Sequence, residues 1–339
     1  MGFDDILGQP TALQVLKRAL ASGRLHHAYR FEGPDGVGKE RTAFALAQAL
    51  VCTRAPGVGC GQCSACERAI TLSPDEPRVP RHPDVVLLER GLYPPAVLGR
   101  SSPETAGIGV EQVRRVIGAR VMYPPHEAPH LLFIVRAAHE LTLNAANALL
   151  KTLEEPRQGV HFILITDQPR RLLDTVRSRT LPIRFGPLPD VDLLEVLRRE
   201  GHAAPSETTV ALASGSARRA LDLCEPEQSA RRERFVSSVL GALGAPDLGA
   251  AIEFGASEQH DRGELSHDLT GLAHHFAVSA RRTAAAAPRA SLAFAECHHE
   301  VLAALAALER HSPPALTLEA LLARLRRAAA LSLAAQYQM

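Results

Sequence analysis

A glycine-rich turn between an apolar segment and a helical pattern constrains this chain more than any other feature. Residues 28–31 have the composition of a short buried strand, and a helical pattern begins at Lys39. Between them, Gly33, Gly36 and Gly38 precede that lysine in a G-x-x-x-x-G-K sequence. Glycines at this spacing let backbone N–H groups surround phosphate oxygens, while the lysine and the helix N-terminus favour negative charge. The turn predicts a phosphate-binding loop in a parallel α/β domain.

One position of this loop departs from the usual pattern. The residue after the lysine is normally Ser or Thr, whose hydroxyl binds Mg²⁺, but here it is Glu40. A carboxylate at this position could repel phosphates or reach a metal ion differently. Two interpretations stay open, either a glycine turn that is now only structural or a loop that binds ATP or ADP. The residues that would bind the nucleotide are Gly33, Gly36, Gly38, Lys39 and Glu40.

A later apolar strand lacks the acids that nucleotide hydrolysis requires. A P-loop ATPase places a carboxylate for Mg²⁺ at the end of such a strand, with a base or water-orienting group beside it. Residues 131–135 form this strand, but Arg136 and Ala137 follow it. A cation cannot bind Mg²⁺ and a methyl group cannot accept a proton, so we expect no hydrolysis. Asp84 precedes its own strand and Asp167 follows another, so neither is better placed to hold the metal.

Apolar runs alternate with helical patterns through the first half of the chain, which is typical of a parallel sheet covered by helices on both faces. The predicted strands are residues 28–31, 84–89, 131–135, 161–166 and 181–185. After the break at residues 185–189 the strand pattern ends. We expect an α/β domain at 1–186, three short helices at 187–230 and a helical domain at 231–339. Much of the proline-rich stretch 71–107 is predicted to be an exposed insertion.

Four of the six cysteines lie in one short segment with the pattern C-x7-C-G-x-C-x2-C. Four thiolates at such spacing suit a tetrahedral Zn²⁺ without an open position, which would be structural rather than catalytic. The alternative is a set of reduced thiols. Cys224 and Cys297 are distant and are expected in the core. The four candidate metal ligands are Cys52, Cys60, Cys63 and Cys66.

Net charge gives no support for nucleic-acid binding, and the apolar segments argue against a secreted or membrane protein. Lys and Arg total 38 and Asp and Glu total 37, so the formal net charge of +1 gives no global argument for nucleic-acid binding. The first residues carry acids and no apolar segment, which predicts no signal peptide. The longest apolar stretches fall short of the roughly 20 residues that a transmembrane helix needs. We therefore expect a cytoplasmic protein.

Two arginines follow the fourth predicted strand in a segment with one apolar face. Leu172, Leu173 and Val176 have the spacing of a buried helical face, which leaves Arg177 and Arg179 on the outside. An arginine at a subunit edge could stabilise charge on a neighbour's γ-phosphate. The alternative is a solvated surface or a simple ion pair.

Taken together, these segments resemble bacterial clamp-loader subunits of the AAA+ class. The resemblance covers residues 1 to about 225, and beyond them the chain matches only in being helical. In that family a RecA-like domain and a three-helix lid precede a helical collar that assembles a pentamer. The matching segments are residues 27–34, 52–66, 82–84, 108–114, 144–156, 172–179 and 215–221.

The resemblance implies a role for several residues. It implies zinc at the four cysteines and an arginine finger at Arg179 that serves a neighbouring ATPase. Arg218 or Arg219 falls at the lid arginine that approaches the nucleotide, and residues 4–9 fall at the adenine side. Thr180 stands where the family usually has cysteine.

The missing acids decide which branch of the family this chain resembles. Since Arg136 and Ala137 replace them, the resemblance implies a delta-prime-type subunit of DNA polymerase III without ATPase activity of its own. Its partners would be the gamma/tau and delta subunits in a hetero-pentamer, with the sliding clamp and primer–template DNA met through the complex. Two alternatives remain, an active gamma/tau-type ATPase and a zinc-stabilised nucleic-acid-binding protein. The near-neutral charge argues against the second.

Overall fold

The computed structural model describes residues 2–101, 107–202, 205, 207–244, 261–310 and 312–334. The chain divides into two compact units. One unit comprises Met1–Ala204 with Ala213–Arg219, and the other comprises Pro205–Leu212 with Ala220–Met339. The division into residues 1–186, 187–230 and 231–339 stays a prediction.

Five strands form one parallel sheet in the order β2-β3-β4-β1-β5. Every strand lies within one residue of its expected bounds, and β3 and β4 are buried along their whole length. Continuous burial is typical of parallel strands that helices cover on both faces. The strands are β1 Ala28–Glu32, β2 Val85–Leu88, β3 Leu131–Val135, β4 Val160–Thr166 and β5 Leu181–Arg184.

Helices cover both faces of this sheet. Alternate residues of β4 point to opposite faces, so Ile163 joins the apolar cluster that includes α1 and α2, whereas Phe162 joins the cluster that includes α4 and α5. Of these helices, α4 is continuous and contains the π-helical segment Val113–Gly118. The helices are α1 Pro10–Ala21, α2 Lys39–Val51, α3 Ser64–Ile70, α4 from Val110–Gln112 to Ala119–Val121, α5 Leu143–Glu154, α6 Asp174–Arg177 and α7 Asp190–Arg199.

After β5 the described chain is helical. Apolar residues on the long helices form a separate core that contains Leu269, Phe276, Val301 and Leu325. No helix in the described ranges is both long and apolar enough to span a lipid bilayer. The remaining helices are α8 Glu207–Ala213, α9 Ala217–Cys224, α10 Pro226–Gly244, α11 Arg262–Thr283, α12 Pro288–Glu309 and α13 Pro314–Ala334.

The proline-rich stretch 71–107 is only partly the exposed insertion that its composition predicts. It contains strand β2, as predicted, but also a nearly inaccessible Leu98 that was not expected, while residues 102–106 lie outside the described part. Proline content marked irregular backbone here, but irregular backbone can still pack against a core. The sheet, the glycine loop after β1 and the helical second half confirm a P-loop AAA+ α/β fold followed by an all-α region.

Candidate functional site

The glycine loop connects β1 to α2, as its sequence predicts, and close contacts hold it in place. Gly33 and Gly36 have φ angles of +151° and +73°, which disfavour any residue with a side chain. A Cβ at Gly36 would lie 2.8 Å from the Arg218 backbone nitrogen, and one at Gly33 would overlap the Phe185 carbonyl. Glycine is therefore required here for packing alone, independently of any phosphate.

The loop lysine is directed into the loop itself. Lys39 is only 5% exposed, and its Nζ donates hydrogen bonds to the carbonyl oxygens of Gly33, at 2.7 Å, and Pro34. Burial lowers the pKa of this lysine below its ordinary value. The ammonium group is thus hydrogen-bonded to backbone carbonyls instead of water. These bonds stabilise the turn even without a ligand.

The two departures from the hydrolytic pattern contact each other. Arg136, at the end of β3, forms an ion pair with Glu40, the first-turn residue of α2. Its other terminal nitrogen lies 2.8 Å from Glu89 Oε2. The guanidinium therefore lies between two carboxylates. It occupies the space between the carboxyl end of β3 and the start of α2, where a hydrolytic site would hold Mg²⁺. Ala137 follows in a left-handed conformation, with φ of +43°, and offers only a methyl group.

The other carboxylates around the loop also have basic partners. Asp35 lies 3.1 Å from Arg218, and Asp167 lies 3.3 Å from His139 Nδ1. In the described part of the chain, the four cysteines are the only set of three or more His, Cys, Asp or Glu side chains placed to share a metal ion. The loop thus pairs its charges internally.

Of the two arginines expected at the lid position, Arg218 lies against the loop tip through Asp35. Arg219 is exposed, and its backbone N–H donates to Ser216 Oγ at 3.3 Å. The structure therefore brings only the first of the two to the loop.

A glutamine in the expected adenine-side segment 4–9 fixes the loop from the other side. Gln9 is almost fully buried, and its Nε2 donates to the carbonyl oxygens of Val37, at 3.1 Å, and Gly186, at 2.7 Å. Its side-chain oxygen accepts the backbone N–H of Gly186. Sequence reasoning gave this residue no separate role, because a single glutamine before Pro10 carries no distinctive signal.

The four cysteines form one compact cluster, as their spacing predicts. Their Sγ atoms all lie within 4.8 Å of one another, and those of Cys52 and Cys63 are 3.8 Å apart. About 3.8 Å is the separation expected between thiolates that bind one tetrahedral zinc at about 2.3 Å. The cluster could therefore hold a metal ion.

Cys63 occupies the N-cap of α3, and its Sγ accepts the backbone N–H of Cys66. Burial opposes ionisation of this thiol, but backbone donors, chiefly that of Cys66, outweigh it and lower its pKa to about 5. The thiolate is the form of cysteine that binds metal ions. Cys297 is buried and Cys224 is half-buried, both outside this cluster.

Arg179 lies on the turn after α6, partly exposed as expected. Its guanidinium forms an ion pair with Glu154 at 2.7 Å and also donates to Thr175 O at 2.9 Å. The neighbouring Arg177 is paired with Asp174 at 2.8 Å on the surface. Arg179 lines a cavity of about 420 Å³ together with His26, His27, Leu153, Glu154, Ser178, Thr180 and Leu181.

A buried arginine in β1 was missed by sequence reasoning. Arg30 is 6% exposed, and its Nη1 donates to Arg177 O at 2.8 Å and to Thr180 Oγ1 at 2.6 Å. The available signal was a charged residue within an otherwise apolar strand. Such a residue needs a partner because burial of an unpaired charge is costly.

A comparison with known protein families identifies the family of this chain. The family model for "DNA polymerase III, delta subunit" matches residues 8–189. The chain belongs to this family. The matched range contains the Lys39 loop, the cysteine cluster and the Arg179 turn, and the expected membership of the bacterial clamp-loader family is confirmed.

Relatives of this polymerase III family member carry two different subunit names. The DNA polymerase III subunit gamma/tau of Mycobacterium tuberculosis is 31% identical over 294 residues, which cover 79% of this chain and 47% of the relative. Subunit delta' of Bacillus subtilis is 33% identical over 180 residues, which cover 53% of this chain and 48% of the relative. The matched part is thus about half of each relative's length.

A gamma subunit-related protein of DNA polymerase III from Thermotoga maritima has a solved structure with 17% identity and a TM-score of 0.47. That comparison covers 93% of this chain and 98% of the other.

Proposed function

We propose that this chain is a non-hydrolysing, delta-prime-type subunit of the DNA polymerase III clamp loader, which supports ATP-dependent loading of the sliding clamp during DNA replication. One observation carries the proposal: Arg136 contacts Glu40. These are the positions from which a carboxylate and a hydroxyl would bind Mg²⁺ in a hydrolytic site. A fixed guanidinium there repels a divalent cation and cannot activate water.

The same contact favours this proposal over the gamma/tau-type ATPase. Several relatives are named gamma/tau or tau, and the overall similarity does not choose between the two branches. Hydrolysis needs a metal-binding acid and a water-activating group at the end of β3, and Arg136 and Ala137 stand there. The third candidate, a nucleic-acid-binding protein, has no comparable support because the net charge is only +1.

In the assembled complex, Arg179 would act on the nucleotide of a neighbouring gamma/tau subunit. Its partly exposed guanidinium beside an open cavity supports this role, because an arginine finger must reach out of its own subunit. Residues 1–186 would form the RecA-like domain, 187–230 the lid and 231–339 the collar that joins the pentamer. The delta subunit, the sliding clamp and primer–template DNA would be met through this complex.

The cysteine cluster would hold a structural zinc ion. Its sulfur separations and the lowered pKa of Cys63 support zinc over free thiols. Four protein ligands leave no position for substrate, so the metal would stabilise the segment between α2 and α3. Binding of ATP or ADP at the Lys39 loop, with Arg218 or Arg219, stays a prediction.

The proposal is tested by ATPase assays on the isolated chain and on the complex reconstituted with gamma/tau and delta subunits. We expect no turnover by the isolated chain, and no change in the complex after Lys39→Ala. Arg179→Ala should lower the clamp-stimulated ATPase rate by at least about tenfold without preventing assembly. Turnover by the isolated chain that disappears with Lys39→Ala would instead identify a gamma/tau-type ATPase.

A further inference from the structure

Arg30 is a buried cation whose partners lie on the turn that carries Arg179. A buried charge is tolerated only where its donors are satisfied. Here Nε donates to Glu32, and Nη1 donates to Arg177 O at 2.8 Å and Thr180 Oγ1 at 2.6 Å. Both Nη1 bonds therefore tie the turn to β1.

These bonds reach the turn on either side of Arg179. Thr180 is 5% exposed, and its hydroxyl donates to Val176 O at 3.0 Å. Because a hydroxyl has a single proton, its oxygen must then accept the bond from Arg30. The result is a directed chain of hydrogen bonds from β1 through Thr180 into α6.

Main-chain bonds hold the turn locally, since the Arg179 N–H donates to Val176 O at 3.2 Å and the Thr180 N–H donates to Arg177 O at 3.4 Å. Helix α6, Asp174–Arg177, has only four residues, and so short a helix is not stable without tertiary contacts. The ion pair of Arg179 with Glu154 fixes only the end of the side chain, on partly exposed groups. Arg30 adds two side-chain bonds that join the backbone and the Thr180 hydroxyl of this turn to β1.

We propose that Arg30 and Thr180 are positioning residues that set where Arg179 meets the neighbouring subunit's nucleotide. This inference rests on the proposed finger role of Arg179. Misplacement of a group by about 1 Å can reduce a rate by about 10²-fold. Loss of the Thr180 hydroxyl should therefore impair the partner's catalysis while its nucleotide binding stays unchanged.

The test compares Thr180→Val, which removes the hydroxyl at nearly constant shape, with Thr180→Ser, which keeps it. In the reconstituted complex we expect Thr180→Val to lower kcat by about tenfold with unchanged KM, and Thr180→Ser to behave as wild type.

In the isolated full chain, Thr180→Val should speed hydrogen exchange at amides 178–180. Thr180→Ala removes the same hydroxyl and serves as the second variant. Arg177→Ala is the matched control, since its exposed side chain forms a surface ion pair with Asp174.

Each outcome separates the two proposals. Faster exchange together with lower kcat supports the positioning role. Unchanged exchange in both hydroxyl-deleting variants overturns the bracing of the turn. Unchanged kcat in these variants, while Arg179→Ala is impaired, overturns the positioning role alone. Unchanged kcat after Arg179→Ala removes the finger itself, and this inference with it.

Discussion

Arg136 and Glu40 form an ion pair although 96 residues separate them in the chain. Each residue alone is a defect in a hydrolytic site, one a cation in place of an acid and the other an acid in place of a hydroxyl. Together they offset each other's charge, and Glu89 accepts a second bond from the same guanidinium. The two substitutions therefore form a single electrostatic unit rather than two independent losses.

This pairing predicts that Glu40→Ala and Arg136→Ala are not additive. Arg136→Ala should destabilise more when Glu40 is present, because it leaves two carboxylates facing each other without their cation. We expect a coupling free energy of about 1 kcal/mol, since the groups are partly exposed to solvent. Urea unfolding of both single variants and the double variant measures it. A parallel cycle on the exposed pair Arg177 and Asp174 should give less, and additive effects at Glu40 and Arg136 would contradict the pairing.

Replacing the buried carboxylate of Asp84 by a neutral side chain should greatly lower the free energy of unfolding. Its fully buried carboxylate accepts bonds from Arg120, at 2.6 Å, and from the backbone N–H groups of residues 126–128. Asp84→Asn should lower the free energy of unfolding by about 2–4 kcal/mol, because the arginine loses its counter-charge and the amide nitrogen cannot accept the two bonds of the oxygen it replaces. Asp174→Asn, at an exposed carboxylate, should change it by less than about 1 kcal/mol.

The Asp84 carboxylate should also make the folding stability of the protein sensitive to acid. Burial opposes its ionisation, but the bonds from residues 126–128 outweigh this and lower the pKa of Asp84 below its ordinary value. Its contribution to stability is thus present above the unfolded pKa near 3.8 and is lost as the pH falls through the folded pKa. Below pH 4, the unfolding midpoint of wild type should fall toward that of Asp84→Asn. A constant difference between them down to pH 2 would contradict this.

The buried ring of His161 should make folding stability depend on pH in a second, higher range. Its Nδ1 lies 3.1 Å from the carbonyl oxygen of His26, which can only accept, so Nε2 of the neutral ring accepts from His130 Nδ1 at 3.2 Å. Burial is the main cause that lowers the pKa of His161 to about 4. The unfolded state therefore binds a proton first, and stability falls by about 3 kcal/mol as the pH drops from 6.5 to 4.

Chemical unfolding between pH 7 and pH 4 measures this contribution. His161→Gln keeps a hydrogen-bonding side chain without a titrating ring, so its stability should depend less steeply on pH than that of wild type. His267→Gln, at an exposed position, is the matched control and should keep the wild-type slope. Equal slopes for all three proteins would exclude His161 as the source.

Metal removal should destabilise the chain if the cysteines hold zinc. We expect one zinc per purified chain and a lower melting temperature after chelation, because metal binding to the folded state adds to folding stability. Cys66→Ser should abolish the zinc and reproduce the melting temperature of the chelated protein. Cys224→Ser, outside the cluster, should retain both. A metal-free preparation with unchanged melting temperature would rule zinc out.

Local patterns were sufficient to predict the elements of the sheet, but not how their side chains pair. Each strand lies within one residue of its expected position, since continuous apolar runs between turn signals define buried strands well. The contacts of Arg30 could not be predicted in this way, because its partners lie 147 and 150 residues further along the chain. Only the sheet order places β5 and the preceding turn beside β1.

The candidate site shows the same division. Sequence alone indicated that Glu40 and Arg136 were unusual, because a motif defines what each position normally holds. It did not indicate that they meet, since that depends on the carboxyl end of β3 lying beside the start of α2. The burial of Leu98 within stretch 71–107 was also missed, because the proline-rich composition around it indicated only irregular, exposed backbone.

The sheet order also governs when the interior strand β1 can gain both of its neighbours during synthesis. Strand β1 lies between β4 and β5, so both of its neighbours are translated long after it. About 150 residues separate the ends of β1 and β5, which a ribosome adding roughly 5–20 residues per second makes in about 8–30 s. Throughout that interval β1 has no partner on its β5 side, and the nascent Lys39 loop lacks the contact of Gly33 with Phe185.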